Sequence, residues 1–233
     1  MGDLQELANV NIVAPPKKAH YPTRAERIAD GWVHGVGISL APVAAIVIFS
    51  LSLWRGGVTQ ASAIIIYAAC LVAMLVCSGA YNLADSKQRN LLRRFDHAAI
   101  FLMIAGSYTP FTTQRLEGAW SISMTVLVWA IALVGAAGKI FLPGVTKRLW
   151  LVLYVALGWT ALIALQQLSS AVSLAGMVLL VVGGAIYTAG VPIYAWERLP
   201  FRRAIWHGFV LAGASVHYCA VLAGVVLAAP VAH

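Results

Sequence analysis

Two pairs of polar residues, Ser78 with Asn82 and Arg203 with His207, stand four positions apart within strongly apolar surroundings. At that spacing each pair shares one face of a helix. His34, Asp96, His97 and His217 are further ionisable residues at the edges of apolar stretches or inside them. Imidazole and carboxylate groups are ligands for divalent metals, and a buried carboxylate can instead be compensated by a fixed guanidinium. Ionisable groups inside a membrane are costly and mark functional sites by default. Ser78 and Asp96 are the candidates for catalytic work, His34, His97 and His217 for further polar positions around a cavity.

The elements that carry these residues follow from the composition. Of 233 residues, 61% are apolar and 10% charged, and the mean hydropathy is +0.84. A soluble domain carries about a quarter of its residues as charges. So few charges cannot cover a water-soluble globule, and lipid is the natural solvent. The net charge of +8 does not point to nucleic acid, because the Lys and Arg residues lie in short clusters between apolar runs. Cys70, Cys77 and Cys219 lie inside apolar runs and predict no disulfide. The first thirty residues lack the apolar core of a cleavable signal peptide.

About 20 apolar residues suffice to cross the hydrocarbon core. Seven such stretches are expected, at about 33–53, 61–82, 97–114, 120–141, 149–168, 172–195 and 205–229. Pro42, Pro110 and Pro192 fall within them. The N-terminal segment, the second, fourth and sixth loops and the residues bordering them hold 14 of the 16 Lys and Arg residues. Basic short loops stay cytoplasmic, so the N-terminus is expected inside and the C-terminus outside. The expected fold is an all-α integral membrane bundle of seven helices, with residues 1–28 a cytoplasmic arm and 29–233 the membrane domain. Trp54, Trp120, Trp150, Trp196 and Trp206 fall near span ends, where indoles favour the interface.

With that topology, His34, Ser78, Asn82, Asp96, His97, Arg203 and His207 all lie in the inner-leaflet third of the bundle. His217 sits roughly 15 Å deeper than His207 along the last helix. A retinal pigment is excluded, since residues 205–229 contain no lysine for the linkage. Secondary transport lacks the paired broken helices and inverted repeat it would need.

The run from Glu26 through Asp30 to His34 and Gly35 resembles the opening motif of the hemolysin III proteins, the bacterial branch of the progestin and adipoQ receptor family. Ser78-Gly-Ala-Tyr81-Asn82 resembles the second motif, normally Ser-x-x-Tyr-His. Asp96-His97 followed by Ile104 to Pro110 resembles the third. Arg203-Ala-Ile-Trp-His207, then Phe209 to Gly213 and His217, resembles the last, normally His-x-x-x-His. The resemblance implies seven helices, a plasma-membrane location and a zinc ion held by three histidines near the cytoplasmic side, with a Ser and an Asp beside it. It also implies zinc-activated cleavage of lipid amides such as ceramide.

The chain departs from that pattern at the ligands. Asn82 and Arg203 occupy two of the three histidine positions, and His207 alone is retained. An amide oxygen is a weak zinc ligand and a protonated guanidinium is none. No metal is therefore expected at these positions, and a salt bridge from Arg203 to Asp96, completed by Asn82, Ser78 and His207, is expected instead. A relocated zinc site built from His34, Asp96 and His207 is the alternative. The function expected is sensing or adjusting membrane lipid state through a cavity open to the inner leaflet, with membrane lipids or a bound fatty acid as partners. A lipid amide hydrolase with a relocated metal is the second reading, and a pore-forming hemolysin the third.

Overall fold

The computed structural model describes residues 20–83, 87–142 and 144–228, so most of the expected cytoplasmic arm lies outside the described residues. Seven α-helices follow in order: α1 (Arg24–Leu83), α2 (Arg89–Gln114), α3 (Gly118–Phe141), α4 (Lys147–Gly158), α5 (Leu165–Ala171), α6 (Leu174–Ala195) and α7 (Arg202–Val221). A short 3-10 turn, Thr160–Ala164, joins α4 to α5, and a π turn, Leu222–Val226, extends α7. No strand occurs among the described residues.

α1 is two helices in one. Gly57 has φ 66° and ψ −161°, a backbone conformation essentially confined to glycine. The chain reverses there, and its two arms, residues 24–56 and 58–83, pack antiparallel. Ser52 donates to Gln60 Oε1 at 3.1 Å near the turn, Gly37 faces Leu75, and Gly79 faces Ile38. At the open end Arg27 reaches the Leu83 carbonyl. A Cβ at position 79 would lie 2.7 Å from Ile38 Cδ1, so the missing side chain lets the arms approach.

Five segments among the described residues are long and apolar enough to cross a membrane: α1, α3, Lys147–Ala171, α6 and Arg202–Val226. The chain is a helical integral membrane protein, and its outward apolar side chains are those of a lipid-facing surface. On the first arm Trp32 is 73% exposed and Trp54 79% exposed. Trp150 behaves differently from the expected interfacial indole. It is buried against Phe101 with the Lys139 ammonium over its ring, because the start of α4 rests on the α2–α3 pair.

α2 is not among the five: it carries Arg93, Arg94, Asp96 and His97 in its first half and Ser107, Thr109, Thr112 and Thr113 in its second. Ser107 and Thr113 donate to carbonyls of α2 itself, and residues of α3 partner Thr109 and Thr112. Trp129 Nε1 donates to Thr109 Oγ1 at 3.0 Å, and Thr125 Oγ1 to Thr112 Oγ1 at 2.8 Å. A hydroxyl facing another helix needs no water. Between α4, both arms of α1, α2, α6 and α7 lies a cavity of about 610 Å³.

Candidate functional site: a polar network at one end of an interior cavity

The cavity is walled by both arms of α1 and by α2, α4, α6 and α7. Its middle is apolar, with Met74, Ile100, Met103 and Val155 among the lining residues. His34, Ser78, Asn82, Asp96, His97, Arg203, His207 and His217 all line it. Seven of these eight belong to one chain of contacts near the open end of the α1 hairpin. His217 stands apart on α7, with Nε2 3.2 Å from the Leu180 carbonyl and its ring against Tyr187.

At the centre of the network is Asp30, which is fully buried. Its position one turn before His34 puts both on the same face of α1. His207 Nδ1 lies 2.6 Å from Asp30 Oδ1, and His34 Nε2 lies 3.5 Å from Asp30 Oδ2. The two imidazole rings have centroids 4.4 Å apart. The second carboxylate oxygen accepts from the Tyr21 hydroxyl at 2.5 Å. Burial and the contact with Asp30 raise the Tyr21 phenol above its ordinary range, so it remains a donor.

Asn82 is the second centre. Its Oδ1 accepts from Arg203 Nη1 at 3.3 Å and from His20 Nε2 at 3.2 Å. Its Nδ2 donates to the Ser78 carbonyl at 3.0 Å and to Ser78 Oγ at 3.4 Å. Those four contacts use the capacity of a carboxamide fully. Burial, with Arg203 and Arg89 nearby, pushes the His20 imidazole down to about 4. The ring is thus neutral and carries its proton on Nε2, the nitrogen that faces Asn82. Asp96 lines the cavity with Ser78, and His97 Nε2 is 3.9 Å from the Asp96 carboxylate.

The expected Arg203–Asp96 salt bridge is replaced by other contacts. Arg203 Nε donates to the His20 carbonyl at 3.2 Å, and its guanidinium lies 5.7 Å from the centre of the Tyr21 ring. The segment before α1 passes over the start of α7 and offers acceptors closer than Asp96. His207 likewise turns to Asp30. The relocated trio is corrected in the same way: His34 and His207 do converge, with Asp30 in place of Asp96. Asp96 lies inside α2, which begins at Arg89.

Sequence reasoning missed His20, Tyr21 and Asp30. Asp30 could have been found, since an acid four residues before a histidine on an apolar helix shares its face. His20 and Tyr21 carry no periodic signal, and only the tertiary path of the chain places them.

The profile described as "Haemolysin-III related" matches residues 24–218. The chain belongs to the haemolysin-III family. It is 33% identical over 201 residues to the "Hemolysin-3 homolog" of Bacillus subtilis (strain 168), covering 86% of this chain and 94% of that protein. To the "Hemolysin-3" of Bacillus cereus it is 31% identical over 198 residues, 84% and 90% of the two chains. The human "Monocyte to macrophage differentiation factor" is 27% identical over 221 residues, 91% and 90% of the two. As a haemolysin-III protein the chain is a multi-pass protein of the plasma membrane.

The three-histidine zinc site implied by the family resemblance does not fit this haemolysin-III chain. Arg203 places a guanidinium against Asn82, and Asn82 has no acceptor capacity to spare. Asp30, His34 and His207 differ: each offers one ligand atom, and these atoms lie within 4.8 Å of one another. They form the one Asp/His/His group among the described residues that could hold a metal ion.

Proposed function

We propose that this haemolysin-III protein senses or adjusts the lipid state of its membrane by admitting one amphiphilic lipid to the interior cavity. One observation carries the reading: a space of about 610 Å³ with an apolar middle and a polar, hydrogen-bonded end. Cavities of roughly 300–1,000 Å³ with a few convergent polar groups are typical of small-ligand sites. A lipid would lay its chain along Met74, Met103 and Val155 and its head toward Arg203 and Asp96. Arg203 is held in place by Asn82 and by the His20 carbonyl.

The same reading takes the protein to cross the membrane seven times, N-terminus inside. The antiparallel arms of α1 supply two crossings. α2, with 26 residues, is about 39 Å long and supplies the third. The basic residues at alternate ends favour the inward N-terminus, which puts the polar end of the cavity at the inner leaflet. A lipid-amide hydrolase would need a metal held away from the family's three histidine positions.

The test is lipid retention. Gly184 lines the cavity, and a Cβ there would meet only the Trp159 ring, at 3.6 Å or more. Gly184→Phe should therefore fill the space without a backbone clash. Mass spectrometry of detergent-purified protein should find a stoichiometric lipid in the wild type and a severalfold loss in the variant. Equal lipid in both would overturn the reading.

A further inference from the structure

From the geometry at the end of the α1 hairpin we infer that Asp30, His34 and His207 form a binding site for one divalent first-row metal ion. This site differs in two of its three residues from the family pattern, and it does not depend on whether the cavity holds a lipid. Asp30 has no exposure, His34 has 3% and the His207 side chain 11%. Such groups are normally hydrogen-bonded in full. His34 Nε2, however, is buried without a hydrogen-bond partner, although Asp30 Oδ2 is only 3.5 Å away. A nitrogen in that position, pointing at a carboxylate and 4.4 Å ring-to-ring from a second imidazole, has the surroundings of a ligand awaiting its ion.

The surrounding contacts fit the same reading. Ligating carboxylates are usually oriented by a hydrogen bond from a residue that does not touch the metal, and Tyr21 makes such a bond to Asp30. The nearby cation does not claim the carboxylate: Arg203 directs its donors to Asn82 and to the His20 carbonyl. Two imidazoles and one carboxylate suit zinc in an open three-ligand arrangement, and suit ferrous iron as well. A zinc ion with three protein ligands supplies a Lewis acid with a free position. Asp30 is what makes the site: it adds a negative charge beside two imidazoles, whereas Asn82 and Arg203 leave the family's positions without two of their ligands.

The experiment loads the full-length, detergent-purified protein with Zn²⁺, removes excess by gel filtration and measures zinc by mass spectrometry. About one zinc per chain is expected in the wild type. At least a tenfold loss is expected in His34→Gln and in His207→Gln, with zinc retained in Asn82→Ala. Wild type without zinc overturns the inference, as does zinc kept by both histidine variants. Zinc lost only in Asn82→Ala would place the ion at the family's position and also overturn it. Co²⁺ loading of the wild type needs no variant to fold. Visible d–d absorption without a thiolate charge-transfer band is expected, and a thiolate band would move the ion to a cysteine. Neither readout depends on lipid retention in Gly184→Phe, so the two proposals fail separately.

Discussion

His207 on α7 and Asp30 on the first arm of α1 are 177 residues apart in the chain and 2.6 Å apart in space. This bond closes the bundle, tying its last helix to its first beside the cavity. A charge-assisted hydrogen bond to a buried carboxylate is worth about 1.5–3 kcal/mol. Asp30→Asn and His207→Gln should each lower thermal stability in detergent. In a double-mutant cycle the pair should couple by about 1–3 kcal/mol. Additive effects would show that the contact contributes nothing.

Arg203 is expected to couple to Asn82 and not to Asp96. Arg203→Ala combined with Asn82→Ala should cost less than the sum of the two, by at least about 0.5 kcal/mol. Arg203→Ala combined with Asp96→Asn should be additive within about 0.5 kcal/mol. Denaturation midpoints of the three single and two double variants decide between these pairings.

His20 sets a pH window. Its folded-state value of about 4 lies below the ordinary histidine value of about 6.5, so folding favours the neutral ring. The stability it contributes is complete above about pH 6.5 and is lost as pH falls toward 4. His20→Gln keeps a donor to Asn82 but cannot titrate. The loss of stability between pH 6.5 and 4 should be smaller in this variant than in the wild type, as measured by melting temperature across that range.

Gly57 is the residue on which the α1 hairpin turns. Any side chain at φ 66° and ψ −161° costs about 1–3 kcal/mol. Gly57→Ala should destabilise by that amount. Gly35→Ala, at a helical glycine with open space around it, should be neutral or mildly stabilising, and thermal melts of the two variants provide the comparison.

The apolar runs and their prolines were legible in the sequence because burial in lipid writes itself into composition. Pro42, Pro110 and Pro192 lie inside helices as expected. The apolar stretch at 97–114 was legible within α2 despite its polar residues, but the pairing of Thr109 and Thr112 with Trp129 and Thr125 on α3 was not, since no local pattern reveals it. At the site, residue types were readable and pairings were not. Asn82, Arg203 and His207 were singled out and the spacing to His34 made Asp30 findable, yet the partners His20 and Tyr21 precede α1 and are placed only by tertiary packing. Two donors already on Asn82 Oδ1 explain why Arg203 and Asn82 work as a pair. That relationship needs both side chains in place before it can be seen.

The two exposed indoles of the first arm are 22 positions apart, which on a straight helix is about 33 Å. That is close to the thickness of the hydrocarbon layer, about 30 Å, so the arm is a ruler with Trp32 and Trp54 as its end marks. A thinner bilayer can keep both marks at its surfaces only if the arm tilts. Asp30 and His34 ride on that arm within a turn of Trp32, while His207 belongs to a different helix. A tilt of the arm moves Asp30 relative to His207, so the contact between them is expected to respond to bilayer thickness.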